Sequence, residues 1–446
     1  MKKNRLGFMA LSMLSVVAFA TSCGGTSSFV PPTPEDAVGD WTTVKKTYLD
    51  ETDIGTNLDI TDGKLDKYTE KDPLIIGLVT DSGTLDDHSF NESAWKGVNE
   101  FAMENGGGTL TKDGVKNGTV QTYYVQPTPG QYTAAGRLAA MRSVVEKGAK
   151  VIVLPGYLFQ GAIALALKEP VFDNVAFLAL DCAETDDDGN KIEFTDRITS
   201  VIYREEQCGY LAGYAAVMDG YTRLGFVGGV AVPAVVRYGS GYVQGAAEAA
   251  KELGLESPVS VQYYYAGKFE GTTEATTYAS TWYQTGAAEV IFSCGGSVYT
   301  SVLDASKNNN YAPWIGVDVN QHADTSITPT EARDAIITSA MKNLTFATQV
   351  LLTDWVNRDG NWSDALKGNV VTVGAKSEMV KLPTPEEDGD EGCWGFENFT
   401  IEEYNKLYEE IKNDTVKVNS NQDNDSLSAN NFGVDPQYCV VNYIAA

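Results

Sequence analysis

The sequence predicts an α/β protein of two similar lobes, each a parallel sheet covered by helices on both faces. Three observations carry this expectation. Short, almost wholly apolar runs recur at 74–79, 151–154, 175–180, 224–227, 289–292 and 314–317, without the polar alternation of half-exposed strands. Stretches with helical spacing lie between them, as with Trp95, Val98, Phe101 and Ala102. These units are too many for one ordinary open sheet, in a chain of 446 residues that is 43 % hydrophobic.

In chain order the spacing predicts strand 74–79, helix 93–105, strand 119–125, helix 134–147, strand 151–154, helix 160–167 and strand 175–180. It continues with helix 204–218, strand 224–227, helix 241–253, strand 259–265, helix 271–284, strand 289–292 and helix 297–307. Strands 314–317 and 335–338 and helix 344–357 follow. Residues 418–431 are polar and low in complexity, and 438–444 beyond them fit an edge strand.

The first 22 residues read as an export signal. Lys2, Lys3 and Arg5 precede fifteen uncharged residues, Leu6 to Ala20, and Ala20-Thr21-Ser22 sets small residues directly before Cys23. The run is short for a bilayer span, and the pattern fits a cleaved lipoprotein signal that leaves Cys23 as the lipid-bearing first residue. Cleavage there takes the formal charge from −27 to −30. So acidic a surface repels phosphate backbones, which argues against nucleic acid as a partner. Residues 24–70, with Pro31, Pro32 and Pro34 among Gly, Ser, Thr and Asp, hold no sustained period and read as a flexible tether. Five cysteines beyond Cys23 are too few for a disulfide scaffold, and two histidines leave little room for a His-based metal centre.

In open parallel sheets, ligands bind beyond the carboxyl ends of the strands. Here strand 74–79 runs into Thr80-Asp81-Ser82 and on to Asp87-His88-Ser89-Phe90, strand 151–154 into Pro155-Gly156-Tyr157-Leu158-Phe159-Gln160, and strand 175–180 into Asp181. In the second half, Gly228-Gly229 leads to Arg237-Tyr238-Gly239-Ser240-Gly241-Tyr242, and strand 289–292 leads to Ser293-Cys294-Gly295-Gly296. Strand 314–317 ends in Asp318, and Lys342 follows strand 335–338. Carboxylates accept from hydroxyls and ring N–H groups, aromatic rings stack, and glycines admit close backbone approach. Together they suit a small polar ligand with a flat ring. Asp87 or Ser89 also fits the N-cap of the following helix.

Other motifs point nowhere. Asp186-Asp187-Asp188-Gly189 lacks a calcium loop's spacing, since Thr195 falls where a bidentate Glu belongs, and it reads as a solvated turn. Neither GxxxxGK[ST], GxSxG nor HExxH occurs, and Gly239-Ser240-Gly241 with Gly245 fits a dinucleotide fingerprint only loosely. Catalysis is not indicated, and neither cofactor nor metal is expected.

The segments IGLVTDSGTLDDHSFNESAWKG (76–97), GFVGGVAVPAVVRYGSGYVQGA (225–246), IGVDVNQ (315–321) and ITSAMKNL (337–344) resemble the basic membrane protein family. Its members are substrate-binding lipoproteins of ABC transporters, similar to purine nucleoside receptors, and the resemblance runs from about Leu74 to Val418. It implies a type I periplasmic-binding-protein fold, with two Rossmann-like lobes joined by three crossings at a hinge. It also implies a nucleoside in the cleft, delivery to an ABC permease and ATPase, and lipid anchoring at Cys23 on the extracytoplasmic face of a bacterial membrane. Carried onto this chain, it implies Asp81 and Ser82 at the nucleobase, Phe90 stacked on it, and Tyr238 or Tyr242 opposite. Gly295 would approach through its backbone, and Asp318 and Lys342 would hold the ribose hydroxyls. Tyr157 and Gln160, from the Gly-aromatic turn, complete the candidate set. A Lys342–Asp318 salt bridge shaping the empty cleft is the alternative for that lysine.

Two departures stand out. Leu85-Asp86-Asp87 replaces the commoner Asn-Asp form, and Gln160-Gly161 stands where many members carry an acidic residue. The expected division is a signal at 1–22, a tether at 23–72, lobe I from 73–199 plus 318–343, lobe II from 200–317 plus 344–418, and an extension at 419–446. A sensor of the same fold, or a nucleoside-hydrolysing enzyme, is the alternative function.

Overall fold

The computed structural model describes residues 58–60, 65–82, 84–420 and 432–444. The signal segment, Cys23 and most of the tether lie outside them. The strands are β1 (Leu74–Val79), β2 (Gly107–Thr111), β3 (Gly114–Gly118), β4 (Val120–Val125), β5 (Val151–Pro155), β6 (Ala176–Leu180), β7 (Ile198–Tyr203) and β8 (Arg223–Gly228). They continue as β9 (Val259–Tyr265), β10 (Val290–Cys294), β11 (Trp314–Asp318), β12 (Ile336–Lys342), β13 (Val370–Val373), β14 (Val380–Lys381) and β15 (Cys439–Ile444). One sheet has the order β13-β7-β6-β5-β1-β4-β2-β3 and the other β14-β12-β11-β10-β8-β9-β15. Pairing is parallel except for the β2–β3 hairpin and β12 with β14. Every residue of β5, β6, β10 and β11 is buried, which is why their sequences are unbroken apolar runs.

The main helices are α1 (Phe90–Glu104), α2 (Ala134–Glu146), α3 (Gln160–Ala166), α4 (Glu205–Met218), α5 (Pro233–Glu252), α6 (Thr273–Thr285), α7 (Tyr299–Asn308), α8 (Leu344–Asn357) and α9 (Ile401–Lys412). Among the described residues the chain passes between the sheets three times: after β7 into α4, from β12 into α8, and from β13 to β14.

These crossings correct the expected division. β11 and β12 belong to the second sheet, so residues 318–342 are not part of lobe I. α8 packs against α1, and β13 pairs with β7, so this stretch returns to lobe I instead of remaining in lobe II. The apolar run of 335–338 carries no mark of which sheet it joins; pairing of β12 with β11 decides it. Of the expected edge strand at 438–444, Cys439–Ile444 form β15 against β9, so that part of the extension completes the second sheet.

α5 begins at Pro233, eight residues before the predicted start at 241, with proline in its first turn. Tyr238 and Tyr242 therefore stand one helical turn apart, not in a loop. α5 crosses α4 at unusually close range, and the glycines explain it. A Cβ on Gly209 or Gly213 of α4 would collide with the carbonyl oxygens of Tyr238 or Tyr242. A Cβ on Gly241 or Gly245 of α5 would collide with those of Glu206 or Tyr210. Gly241 and Gly245, loosely reminiscent of a dinucleotide loop, are packing glycines. This contact fixes the helix that leaves the first crossing, Glu205 at its start included. Gly213→Ala is expected to lower stability by about 1–3 kcal/mol through overpacking, read as a lower urea midpoint with an unchanged m-value.

Candidate functional site

The two lobes repeat one device. β5 leads to Gly156 (φ 122°), a 3₁₀ turn, Tyr157–Phe159, and α3. β10 leads to Gly295 (φ 116°), a 3₁₀ turn, Gly296–Val298, and α7. The next strand in each lobe delivers an aspartate in the left-handed region, Asp181 (φ 61°) after β6 and Asp318 (φ 65°) at the end of β11. Asp tolerates that backbone better than most residues. Gly156 is required twice over, because a Cβ there would also lie 2.7 Å from Asp81 Oδ2.

The repeated ends face one another across a cleft of about 650 Å³, its open mouth included. Lobe I contributes Asp81, Asp87, Phe90, Asn91, Tyr157 and Asp181, and lobe II contributes Tyr238, Phe269, Cys294, Gly295, Asp318 and Lys342.

Lys342 is the hub. Its ammonium lies 2.7 Å from Asp181 Oδ2, 3.3 Å from Glu205 Oε1 and 3.5 Å from Asp318 Oδ1, and 4.4 Å from the centroid of the Phe90 ring. Burial works against its charge, but the carboxylates of Asp181, Asp318 and Glu205 outweigh burial and hold its pKa above the usual lysine value. Glu205 also accepts from Arg237 Nε at 2.5 Å, and these cations overcome its burial and lower its pKa. Burial raises Asp181 to about 7 despite Lys342, and it raises Glu206 to about 7 as well.

Around the hub the acceptors are engaged. Asp318 Oδ2 accepts from Ser89 Oγ at 2.6 Å, and Oδ1 from Tyr238 OH at 3.3 Å. Asp87 caps α1 by accepting from the backbone N–H groups of Ser89, Asn91 and Glu92 and from Asn91 Nδ2. Asn91 Nδ2 also donates to Asp81 Oδ1 at 3.3 Å, and the Asp81 carbonyl accepts from Arg137 Nε at 3.0 Å. Beside the cleft the lobes meet through Ser89–Asp318 and through His88 Nδ1, 3.1 Å from Asp324.

Of the predicted set, Asp81, Phe90, Tyr157, Tyr238, Gly295, Asp318 and Lys342 line the cleft; Ser82, Gln160 and Tyr242 do not. Tyr242 packs in the core against Phe292, ring centroids 5.3 Å apart, so Tyr238 is the tyrosine that reaches the cleft. Gln160 is turned to the 184–190 loop, accepting from Thr185 Oγ1 at 3.0 Å and donating to the Asp186 carbonyl. Asp186 binds the N–H groups of Asp188 and Asn190, which makes that loop the solvated turn expected. Lys342 does pair with Asp318, but Asp181 is nearer. Sequence reasoning missed Phe269 and Asn91 and left Asp181, which lines the cleft, out of the candidate set. Phe269 follows β9 in a stretch without a motif, whereas Asp181 was visible as the last polar residue of an apolar strand.

Two α/β lobes joined by three crossings, with carboxylates, aromatic rings and one ammonium between them, define the class: a two-lobed solute receptor. The model of the Bmp family, ABC transporter substrate-binding proteins that are PnrA-like, matches residues 75–429, and the chain belongs to this family. It is 28 % identical over 322 residues to the ABC transporter nucleoside-binding protein BmpA of Lactococcus lactis subsp. cremoris, covering 70 % of this chain and 82 % of that protein. It is 27 % identical over 307 residues to basic membrane protein B of Borreliella burgdorferi, covering 68 % and 80 %. The fold is shared with an ABC transporter solute-binding protein of Aeropyrum pernix (TM-score 0.61, 20 % identity, 79 % of this chain and 95 % of that one). The chain is thus an ABC transporter substrate-binding protein with the type I periplasmic-binding architecture.

Two predictions concern the hub. Lys342→Met leaves buried Asp181 and Asp318 without their cation, while Glu205 keeps Arg237, and is expected to destabilise the fold by about 3–5 kcal/mol in urea unfolding. Because Asp181 and Glu206 keep their protons to about pH 7 when folded, the native state binds more protons than the unfolded chain between the ordinary carboxylate range and 7. Their contribution is present at pH 5 and lost as pH rises through 7. Asp181→Asn is expected to flatten the fall in melting temperature between pH 5 and 8 (conditions of the assay), and an unchanged fall would contradict it.

Proposed function

We propose that the protein is a lipoprotein, held through Cys23 at the extracytoplasmic face of a bacterial membrane, that closes on a nucleoside, a purine one for preference, and delivers it to the permease and ATPase of its transporter. The observation that carries the ligand is the composition of the cleft. Phe90 and Tyr157 from one lobe and Tyr238 and Phe269 from the other supply flat apolar surface for a base, beside carboxylates suited to sugar hydroxyls and ring N–H groups. The name of the Lactococcus relative supports the same reading. Four carboxylates line the cleft, and its lysine is already shared among three carboxylates, so a phosphate ester is repelled where an uncharged nucleoside is not. In this account Phe90 stacks on the base, Asp81 reads it, Gly295 approaches through its backbone, and Asp318 with Lys342 holds the ribose.

Calorimetric titration with adenosine, guanosine, inosine, uridine and cytidine tests it. Saturable binding of at least one purine nucleoside is expected, with no binding of its 5′-monophosphate. Phe90→Ala should weaken that binding by about 5- to 150-fold, the range for loss of one base–aromatic stack. Binding of none of the five, or preference for the nucleotide, refutes the reading.

A further inference from the structure

The carboxylates of the cleft differ in what remains unused. Both oxygens of Asp87 and both of Asp318 accept hydrogen bonds within the protein. Asp181 is divided: Oδ2 accepts from Lys342 Nζ at 2.7 Å, while Oδ1 is buried and has no hydrogen-bond partner among the described residues. The side chain is only 5 % exposed, yet it lines the cleft. A buried carboxylate oxygen with no donor is costly, on the order of 1–3 kcal/mol or more, and a native fold rarely tolerates one without a reason.

Asp181 cannot turn away to relieve this. Its left-handed backbone is fixed by its N–H donating to the Val201 carbonyl at 2.8 Å, and the neighbouring Gly156 N–H donates to the Leu180 carbonyl. Lys342 cannot turn to serve Oδ1 either without leaving Glu205 and Asp318, its other carboxylate neighbours. Above about pH 7, where Asp181 is ionised, Oδ1 is therefore an acceptor without a donor on a residue that lines the cleft.

We propose that Asp181 is a ligand-reading residue: its Oδ1 accepts a hydrogen bond from one N–H or O–H group of the bound nucleoside, so the receptor rejects analogues that lack that donor. This rests on the nucleoside reading of the cleft. Through Lys342 the same contact is tied to Asp318 of the opposite lobe and to Glu205 at the first crossing, which places ligand recognition on the hinge.

Asp181→Asn gives a sharp test because the lysine orients the amide. An ammonium only donates, so the Asn carbonyl must take the place of Oδ2 and the NH₂ group that of Oδ1. The substitution thereby turns an acceptor into a donor at constant shape. At pH 8, where Asp181 is ionised, adenosine, guanosine and inosine are titrated into the wild-type chain and into Asp181→Asn, alongside their 2′-deoxy, 3′-deoxy, 5′-deoxy and N-methylated analogues, with melting curves confirming that the variant is folded. In the wild type, one analogue is expected to lose about tenfold or more in affinity, the worth of a hydrogen bond to a charged group. In the variant, the parent nucleoside should weaken by a similar factor, and the penalty for that analogue should shrink to less than about threefold. If the variant does not fold, the wild-type series still decides, since uniform affinity across the analogues overturns the proposal. Equal penalties in both proteins also overturn it while leaving the nucleoside reading intact; Oδ1 is then served by water. A wild-type chain that binds no nucleoside at all refutes the nucleoside reading first, and this assignment with it.

Discussion

The burial of one ammonium group constrains most of what surrounds it. Lys342 ends β12 of the second sheet, and its charge survives burial only because three carboxylates reach it from different parts of the chain. Asp181 comes from lobe I, Asp318 from lobe II, and Glu205 from the start of the helix that leaves the first crossing. Removing the lysine leaves Asp181 and Asp318 without a cation, with Glu205 still held by Arg237; removing a carboxylate shifts the balance on the others. Cleft, hinge and lobe contact are thus one electrostatic unit, with Arg237 extending it through Glu205 into the second lobe.

That unit needs its parts held in register, and repetition within the fold supplies this. Each lobe follows one central strand with a glycine of positive φ and the next with a left-handed aspartate, so one aspartate from each lobe reaches Lys342. The glycine-mediated crossing of α4 and α5 locks Glu205 and Arg237 into the same frame, since both sit in the helices that approach so closely. The lobes are thus bridged at the cleft by Asp181–Lys342 and beside it by Ser89–Asp318 and His88–Asp324.

Much of this was legible in the sequence because buried parallel strands leave unmistakable apolar runs, and polar residues at their ends mark the ligand side. Asp81, Phe90, Gly295, Asp318 and Lys342 were found on that basis, together with the family resemblance. The assignment of β12 to a lobe was not legible, because an apolar strand carries no label for its partner. Helix α5 was started too late because the glycines in 239–245 look like a loop until the facing helix is present. The β2–β3 hairpin, β7 and β13 were missed for want of a long apolar run. Helix α9 had a readable signal, the Thr400–Glu403 capping box with Tyr404, Leu407, Tyr408 and Ile411 on its buried face. Tyr242 and Gln160 show the remaining limit: residue type near a strand end does not tell whether a side chain points at the cleft, the core or a neighbouring loop.

The central claim is that this charged, aromatic cleft holds an uncharged solute bearing a flat ring and donor groups. Native mass spectrometry of the chain as purified, followed by denaturation and identification of whatever is released, tests it most directly. The account predicts a single non-covalent adduct that releases a nucleoside, or an empty protein that gains one adduct when nucleosides are added. Release of a phosphorylated metabolite, or an empty protein that takes up none of the nucleosides offered, would contradict it.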